Sequence, residues 1–482
     1  MKDRTETLLA GFMDQITARH AGENEFLQAV EDVARDVLNV EKANSVFTQA
    51  RVLERLAEAD RIISFRVTWR DDAGCVQINR GWRVQQTNLL GPYKGGIRWD
   101  PTVTASVLKF LAFEQALKNA LTGLPLGAAK GGADFQPAGR SQGEIERFAA
   151  AFMAKLGQHI GPEYDVPAGD IGVGATAVGL MTRAWTQQTR RWGGAFTGKP
   201  LALGGSAMRA EATGYGLIYF LQAMLSEDNK TLEDKRIALS GRGNVSSHAA
   251  RKALELGAKI ITLSGRAGTW YAPDGVSSEA LDWILDARGD VAQDPPKDLG
   301  ICFHAQKTPW HFEPDIALPC ATQNEVQIED ARALADSGCG YLAEGANMPV
   351  TAEAQARLAK SGIVQAPGKA ANAGGVAVSG LEMQQNAAFT FWEAEKVDRK
   401  LRNVMCGIHG LLKRERVSCC TVSGGIDYRR AANVAGYRRI AEAMIVGGVL
   451  LPPGTSTSEV AHSQSQLPRC RKPDHERHSD LL

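Results

Sequence analysis

The sequence predicts an α/β protein of two domains, with a deep cleft between an N-terminal α/β domain and a doubly wound, mostly parallel sheet. Three observations support this fold class. The chain has 482 residues, which is enough for about two to four domains. In its second half, short apolar strands alternate with helices, the pattern of a parallel sheet. Its 50 glycines cluster in short loops, and such clusters often mark backbone that approaches a ligand.

The composition excludes several classes of protein. Lys and Arg number 55 and Asp and Glu 54, a formal net charge of +1, so no charge excess draws the chain to nucleic acid or acidic lipid. The N-terminus has no secretory signal pattern, and we expect a soluble, cytoplasmic protein. The eight cysteines include no CxxC pair and no histidine at ligand spacing, which favours reduced thiols and no metal site.

In the first domain, we expect helices around a hairpin and several glycine-rich loops. Residues 1–60 carry apolar side chains at helical spacing, and residues 64–86 form two β-rich runs joined by a DDAG turn. The remaining segments, in order, are a glycine loop at 91–96, a helix at 103–121, a second glycine loop at 124–135, a helix at 141–159 and a Gly, Pro and Asp loop at 162–179.

The second domain begins near residues 196–216, the segment that we expect to cross between domains. Beyond it, helices separate successive apolar strands, as in a doubly wound parallel sheet. The predicted strands lie at 235–240, 258–264, 315–319, 341–347 and 362–367.

The segment LSGRGNVSSHAARKAL, residues 239–254, predicts a phosphate-binding turn. It passes from a strand through Gly241 and Gly243 into a helix. Gly241 permits the tight turn, and Gly243 lets a pyrophosphate approach the N–H groups of the helix. Ser246, at the third glycine position, is small enough for close packing. A GxG alone is weak, but this context favours a Rossmann-like dinucleotide-binding domain over a turn that binds nothing.

The residues after the next strand favour NADP over NAD. A site for NAD usually has an acidic side chain here, which binds the ribose 2′-hydroxyl. This chain has Ser264-Gly265-Arg266 instead, and Arg266 is suited to a 2′-phosphate. A solvated loop cation is the alternative, and NAD remains possible.

Three lysines lie beside glycine-rich segments or on a shared helix face. Lys94 is in GPYKGG, Lys130 is in GAAKGG, and Lys118 shares a face with Gln115 in the helix between them. Lysines that crowd a partly desolvated cleft repel one another, which lowers their pKa values and suits one of them to acid–base chemistry. The same group would bind a dianion. Taken singly, each lysine is more often a solvated surface residue.

Two further polar positions have competing interpretations. Asp170, in VPAGDIGVGA, is either a proton carrier beside the lysines or the N-cap of the following helix. Asn372 and Ser379, in AANAGGVAVSG, either contact a ligand or cap a helix.

These features divide the chain into four parts. We expect a substrate-binding and oligomerisation domain at 1–200 and a dinucleotide-binding domain at 201–375. Helices at 376–450 return to the first domain. Residues 451–482, rich in Ser, Pro, His and charge, are expected to be disordered.

Together the motifs resemble one family over roughly residues 10–450. The sequence is similar to the NADP-linked, hexameric glutamate dehydrogenases of microbes, in the Glu/Leu/Phe/Val dehydrogenase superfamily. The matching blocks, in family order, are FRVTWRDDAGCVQINRGWRVQ, GPYKGGIRWDP, LKFLAFEQALKNALTGLPLGAAKGGADF, DVPAGDIGVG, FTGKPLALGGSAMRAEATGYG, DIALPCATQNE, AEGANMP and APGKAANAGGVAVSGLEMQQNA.

The resemblance implies how a substrate would bind. Lys94 and Ser379 would hold the γ-carboxylate of glutamate. Gln115 and Lys118 would hold its α-carboxylate, and Gly169 would offer a backbone contact.

The resemblance also implies the reaction, oxidative deamination of L-glutamate to 2-oxoglutarate and ammonium with NADP, and its reverse. Lys130 would be the catalytic lysine and Asp170 would move the proton of the amino group. The residues that the resemblance implies for the cofactor are Arg209, Thr213, Ser240, Gly241, Gly243, Asn244, Val245, Asn324 and Asn347. Arg266 joins them as the residue predicted to bind the 2′-phosphate.

The sequence departs from the family pattern at several positions, and two alternative functions stay open. Ala128-Ala129 precedes the predicted catalytic lysine, where the family usually has another glycine, and an alanine forced to φ > 0 would cost on the order of 1 kcal/mol. Arg242 stands between the phosphate glycines, and Gly265-Arg266 replaces Asp-Ser. The alternatives are a leucine- or phenylalanine-type amino-acid dehydrogenase, and a catalytically weak paralogue that acts as a binding or assembly subunit.

Overall fold

The computed structural model describes residues 2–286, 295–417, 419 and 425–448. The segment 451–482, predicted to be disordered, lies outside the described residues. The N-terminal helices are α1 (Lys2–Arg19), α2 (Asn24–Ala43), α3 (Ser45–Gln49) and α4 (Val52–Ala57). On α2, Phe26, Val30 and Val33 are buried completely. The helical prediction for residues 1–60 is therefore confirmed, and the buried stripe fixes α2 against the rest of the domain.

The first sheet has five strands in the order β1-β2-β4-β3-β5. The hairpin predicted at 64–86 is confirmed as β1 and β2, which pair antiparallel up to Arg70 and Val76. The helices predicted at 103–121 and 141–159 are confirmed as α5 and α6. The elements are β1 (Arg61–Arg70), β2 (Val76–Thr87), β3 (Tyr93–Trp99), α5 (Ala105–Leu121), β4 (Ala128–Ala133), α6 (Gln142–Leu156), β5 (Asp165–Gly169) and α7 (Ala175–Thr189).

The prediction of glycine loops at 91–96 and 124–135 was wrong in part, because both contain buried strands, β3 and β4. A Cβ on Gly95 would lie 1.6 Å from the carbonyl oxygen of Ala129 on β4, so only glycine allows this approach. Since glycine has low strand propensity and no side chain to alternate, the strand pattern is invisible in the sequence. The cleft-facing residues therefore lie on a rigid sheet.

The second sheet has seven strands in the order β12-β11-β10-β6-β7-β8-β9. The five strands from β12 to β7 pair in parallel, as predicted, whereas β8 and β9 are antiparallel, so the sheet is mixed. The elements are α8 (Ala212–Glu227), β6 (Arg236–Leu239), α9 (Asn244–Glu255), β7 (Lys259–Gly265), β8 (Gly268–Tyr271), α10 (Ser278–Asp286), β9 (Cys302–Ala305), β10 (Ile316–Leu318), α11 (Ile328–Asp336), β11 (Tyr341–Ala343), α12 (Ala352–Lys360) and β12 (Val364–Ala366).

In the described part of the chain, four α-helices follow the second sheet: α13 (Gly368–Ala371), α14 (Gly374–Ala387), α15 (Ala394–Arg414) and α16 (Tyr428–Gly447). The last of them lies against the N-terminal elements. Arg439 of α16 donates to the carbonyl of Ala120 at 2.7 Å, and Tyr437 donates to Glu41 at 2.9 Å. The chain therefore passes from the first sheet to the second and then back.

The two connecting segments meet at a buried ion pair. Lys199, in the stretch that leads to α8, lies 2.5 Å from Glu382 on α14, and both side chains are almost inaccessible to solvent. Lys199 also donates to Asn386 at 2.7 Å, and the N–H of Gly198 donates to Glu382 at 2.8 Å. Because each charge has a partner of opposite sign and further hydrogen bonds, these interactions offset the desolvation cost of burying the pair.

Within the described residues, no helix has both the length and the apolar character needed to cross a membrane. In the same part of the chain, no group of three or more His, Cys, Asp or Glu side chains is arranged to hold a metal ion.

Candidate active site

Lys94 of β3 is buried at the cleft face of the first sheet, with 1% of the residue exposed. Its register is set by pairing with Val166 of β5. Among the described residues, no atom accepts a hydrogen bond from its ammonium group. Burial lowers the pKa of Lys94 well below its usual value, and the positive charges of Arg83 and Arg209 lower it further. An anion that enters the cleft would therefore favour the charged form of Lys94 and give its ammonium group a hydrogen-bond acceptor.

Lys130 of β4 and Asp170, directly after β5, form the centre of the site. The ammonium of Lys130 lies 3.1 Å from Oδ2 of Asp170. Between them, Gly96 of β3 leaves the space open, because a Cβ there would lie 2.8 Å from Cβ of Asp170 and 3.4 Å from Nζ of Lys130. The carbonyl oxygen of Gly169 lies 3.1 Å from the same point. The glycine strand thus provides the floor of this pocket.

The alternative role of Asp170 as a helix N-cap is excluded by the structure. Helix α7 begins at Ala175, and its N-cap is Gly174, with no side-chain cap. Burial disfavours the charge of Asp170, but Lys130 and Arg98 outweigh it and hold its pKa below the usual value. Burial lowers the pKa of Lys130, and Asp170 opposes that effect. The site therefore pairs an ionised carboxylate with a lysine that is easier to deprotonate than usual.

Gln115 and Lys118 lie on α5, at the same edge of the cleft. Gln115 packs over β3, since its Cγ is 3.5 Å from a Cβ placed on Gly95. The ammonium of Lys118 donates to the side-chain carbonyl of Asn372. Burial, and then the charge of Lys130, lowers the pKa of Lys118 to about 8. Lys118 is thus close enough to the central pair to be influenced by it.

Ser379 and Arg209 face the first sheet from across the cleft. Ser379 is buried on α14, and Nε of Arg209 donates to its hydroxyl at 3.2 Å. Thr213, in the first turn of α8, lies beside them, because a Cβ on Gly375 would be 2.7 Å from its hydroxyl and 3.5 Å from Nη1 of Arg209. The structure therefore brings Arg209, Thr213 and Ser379 together, where sequence spacing alone separates them.

The predicted phosphate-binding turn has the expected shape. Gly241 adopts φ +80°, a conformation that favours glycine. Gly243 is the N-cap of α9, no side chain caps that helix, and a Cβ on Gly243 would meet no atom within 4 Å. The first N–H groups of α9, at Asn244 and Val245, thus open onto free space at the positive end of a 12-residue helix. These residues fit a dinucleotide phosphate.

Two residues of that turn are used within the fold. The hydroxyl of Ser240 accepts a hydrogen bond from the N–H of Cys320 at 2.8 Å, and the N–H of Gly241 donates to the hydroxyl of Ser264 at 3.0 Å. The hydroxyl of Ser240 and the N–H of Gly241 thus already have partners within the fold.

The remaining predicted cofactor residues lie around the same sheet edge. Asn324 and Asn347 are exposed in loops after β10 and β11, and Asn347 accepts a hydrogen bond from Asn372 at 3.0 Å. Arg266 is exposed in the β7–β8 turn. The guanidinium of Arg242 lies 5.5 Å from the centre of the Trp270 ring, so its side chain stacks on β8 and leaves the glycines uncrowded.

The departure at Ala128 and Ala129 causes no backbone strain. Both residues lie in β4, and neither has a positive φ. The energetic cost considered for a positive φ therefore does not arise.

Sequence reasoning missed two arginines of this region. Arg98 of β3 donates to Asp170 at 2.8 Å. Arg83 and Asp165 form a completely buried ion pair beneath β3, and Arg83 also donates to the carbonyl of Gly95 at 3.1 Å. Recognising β3 as a strand would have revealed Arg98, because every second residue of a strand lies on the same face, and Lys94, Gly96 and Arg98 therefore share one face.

A dinucleotide-binding sheet and a lysine-lined cleft define a nicotinamide-dependent dehydrogenase of amino acids. Residues 59–187 match the family model "Glu/Leu/Phe/Val dehydrogenase, dimerisation domain". Residues 204–448 match "Glutamate/Leucine/Phenylalanine/Valine dehydrogenase". The chain belongs to the Glu/Leu/Phe/Val dehydrogenase family.

Similar proteins cover almost the whole chain. It is 48% identical over 446 residues to the NADP-specific glutamate dehydrogenase of Psychrobacter sp., covering 91% of this chain and 98% of that protein. It is 48% identical over 442 residues to the NAD-specific glutamate dehydrogenase of Bacteroides fragilis, covering 91% and 99%. A crystal structure of Plasmodium falciparum glutamate dehydrogenase superposes with a TM-score of 0.88 at 38% identity, covering 93% and 96%.

Proposed function

We propose that this chain is an NADP-dependent glutamate dehydrogenase, which converts L-glutamate to 2-oxoglutarate and ammonium and catalyses the reverse reaction. Lys94 carries the choice of substrate. Its ammonium is buried in the cleft and has no acceptor among the described residues. A second carboxylate on the substrate supplies that acceptor, whereas an apolar side chain leaves the charge unpaired.

Four side chains hold the substrate in this proposal. Lys94 and Ser379 bind the γ-carboxylate, and Gln115 and Lys118 bind the α-carboxylate. Gly169 contributes a backbone contact at the amino group. With its two carboxylates held by these two pairs, the substrate has its Cα beside Lys130 in this proposal.

The chemistry divides between Lys130 and Asp170. Asp170 takes a proton from the α-ammonium group, which frees the lone pair of nitrogen. When bound, NADP supplies the acceptor for the hydride that leaves Cα. Lys130 then holds a water molecule, takes one of its protons as the water adds to the iminium carbon, and as an ammonium donates a hydrogen bond to the new hydroxyl oxygen. Asp170 returns its proton to nitrogen, the C–N bond breaks as the C–OH group becomes the carbonyl, and the hydroxyl proton leaves with ammonia as ammonium.

The cofactor is proposed to lie along the carboxyl edge of the second sheet. Arg209 and Thr213 lie beside the nicotinamide, and Arg266 binds the 2′-phosphate. The proposed residues along the pyrophosphate and riboses are Ser240, Gly241, Gly243, Asn244, Val245, Asn324 and Asn347. Relatives with NADP-specific and NAD-specific names both exist, so use of NAD accompanies the main activity with NADP.

We also propose the domain division 1–200, 201–375 and 376–450, with a water-excluding cleft between the first two parts. The first sheet lies within residues 61–169 and the second within 236–366, which supports these bounds. A cytoplasmic homohexamer is the proposed form of the protein, with glutamate, 2-oxoglutarate and ammonium as its partners and ammonium assimilation as one direction of its reaction.

Two alternative functions make different predictions. A leucine- or phenylalanine-type dehydrogenase needs an apolar pocket for the substrate side chain, which Lys94 contradicts. The departures from the family pattern at Ala128, Ala129, Arg242 and Gly265 are what favours a weak paralogue that acts as an assembly subunit. Unstrained alanines and the intact Lys130–Asp170 pair favour an active enzyme.

A survey of substrates tests the proposal. Rates are measured for glutamate, leucine and phenylalanine with NADP and NAD, for the wild type, Lys94→Leu and the exposed control Lys155→Leu. We expect wild type and control to prefer glutamate, and Lys94→Leu to shift preference toward leucine by about 100-fold or more. A wild type that prefers leucine contradicts the substrate, and one with no dehydrogenase activity contradicts the enzymatic function.

A further inference from the structure

Arg98 and Lys94 flank Gly96 on one face of β3, because side chains two residues apart along a strand point to the same side. Gly96 lies against both members of the catalytic pair. The strand therefore presents a cation for the substrate, an open space, and a second cation. Arg98 is partly exposed, at 17% of its side chain, and its backbone register is fixed by pairing with Gly132 of β4.

Both cations next to Asp170 use the same carboxylate oxygen. Nε of Arg98 donates to Oδ2 at 2.8 Å, and Nζ of Lys130 lies 3.1 Å from that oxygen. Oδ1 receives a hydrogen bond from neither of them. A carboxylate fixed at one oxygen by a planar guanidinium has a defined orientation, which leaves Oδ1 to exchange a proton with a substrate.

The two cations differ in how long they stay charged. Lys130, whose pKa is lowered, is neutral when it takes the proton of the attacking water in the proposed mechanism, and Lys118, which faces Asp170 from α5, has a lowered pKa as well. An arginine remains protonated at any pH used by an enzyme. Arg98 is thus the one permanent positive charge in direct contact with Asp170 among the described residues.

We propose that Arg98 is a positioning residue, which fixes the carboxylate of Asp170 through Oδ2 and favours the ionised form in which Asp170 accepts the proton of the amino group while Lys130 is neutral. The inference rests on the proposed role of Asp170 in moving the proton of the amino group. Arg98 itself does not touch the substrate in this scheme. Its effect therefore shows in the catalytic rate and its pH dependence, and little in the binding of glutamate.

The test compares Arg98→Gln, Arg98→Lys, Asp170→Asn and the exposed control Arg332→Gln. For each purified protein, kcat and KM for glutamate are measured as a function of pH, together with Tm and NADPH affinity. We expect Arg98→Gln to lower kcat by about 10- to 100-fold with KM within about threefold. In this variant, the acid limb of the kcat–pH profile shifts to higher pH by about one unit, because one of the two positive charges that favour the ionised carboxylate is gone. Arg98→Lys recovers part of the loss, and Arg332→Gln matches the wild type.

The outcomes separate the inference from the function beneath it. An Arg98→Gln enzyme with wild-type kcat and pH profile overturns the role of Arg98, as does a loss of kcat that is accompanied by equal losses of Tm and NADPH affinity. If Arg98→Gln does not fold, an unaltered acid limb in Arg98→Lys together with full kcat has the same meaning. An active Asp170→Asn enzyme instead overturns the proposed role of Asp170.

Discussion

Lys118 on α5 donates a hydrogen bond to the side chain of Asn372, 254 residues further along the chain, between α13 and α14. Asn372 in turn donates to the carbonyl of Ala346 at 3.1 Å and to Asn347 at 3.0 Å. Lys118, the residue proposed to bind the α-carboxylate, is thus linked through Asn372 to the loop after β11, which lies beside the proposed cofactor site. A substrate carboxylate that binds Lys118 either replaces Asn372 as the acceptor of its hydrogen bond or shares the ammonium group with Asn372.

The lowered pKa of Lys118 predicts a pH limit on substrate binding. With its pKa at about 8, Lys118 is charged below pH 8 and becomes neutral above it, so affinity for a carboxylate falls as pH rises. We expect the Kd of 2-oxoglutarate, measured by calorimetry with NADPH present, to rise above about pH 8. This ligand has no amino group to confuse the profile. Lys118→Arg is expected to remove the rise, and an identical rise in that variant refutes the assignment.

Gly96 predicts a steric requirement at the catalytic pair. In Gly96→Ala, the new Cβ would lie 2.8 Å from Cβ of Asp170, which forces the carboxylate away from Lys130. A displacement of this kind lowers kcat by about 100-fold, measured in the glutamate assay. The matched control is Gly11→Ala on α1, where a Cβ meets nothing within 4 Å. Full activity of Gly96→Ala means that the pocket adjusts and that this spacing is not essential.

Arg266 predicts the preference for NADP. Its removal leaves a 2′-phosphate without a charge-assisted partner, so Arg266→Ala should lower the ratio of kcat/KM for NADP to that for NAD by about tenfold or more. Arg332→Ala is the control. The same ratio is also measured for Arg242→Ala, because Nε of Arg242 lies 3.6 Å from a Cβ placed on Gly265, the residue before Arg266. An unchanged ratio in Arg266→Ala assigns Arg266 to the solvated surface.

Glu344 predicts a pH-dependent stability. It is buried, accepts a hydrogen bond from the N–H of Gly368 at 2.7 Å, and burial raises its pKa from 4.5 to about 7. Because the pKa of Glu344 is raised in the folded state, the contribution of this residue to the free energy of unfolding is greatest below about pH 4.5. That contribution falls, by on the order of 3 kcal/mol, as pH rises to about 7. Glu344→Gln keeps the acceptor without the charge. Scanning fluorimetry from pH 5 to 8 should therefore show Tm of Glu344→Gln rising relative to wild type, and parallel profiles contradict the prediction.

Much of the architecture follows from local patterns. The hairpin of β1 and β2, the amphipathic α2 and the strand–glycine–helix passage at Gly241 each have a recognisable period or turn residue, and the structure confirms them. The strands β3 and β4 escape such reasoning because their glycines carry no side chains to alternate. Their presence depends on the close approach of Gly95 to Ala129, which is a contact of the tertiary structure and leaves no local pattern in the sequence.

The candidate site shows the same division. The sequence predicts Lys94, Lys118 and Lys130 as a group, and their roles and that of Asp170 stay predictions. The contact between Arg209 and Ser379 joins positions 170 residues apart and has no local signal. The resemblance to a family suggested both residues, but only the folded chain brings them to one point.

The Lys199–Glu382 pair fastens the outgoing and returning connections between the two sheets at one place. This contact ties the two connections to each other, with both charges almost inaccessible to solvent. Arg209 lies ten residues beyond Lys199 and Ser379 three residues before Glu382, so both residues are near this contact along the chain. In the function proposed above, a change at the Lys199–Glu382 pair would therefore reach the residue for the nucleotide and the residue for the amino acid together.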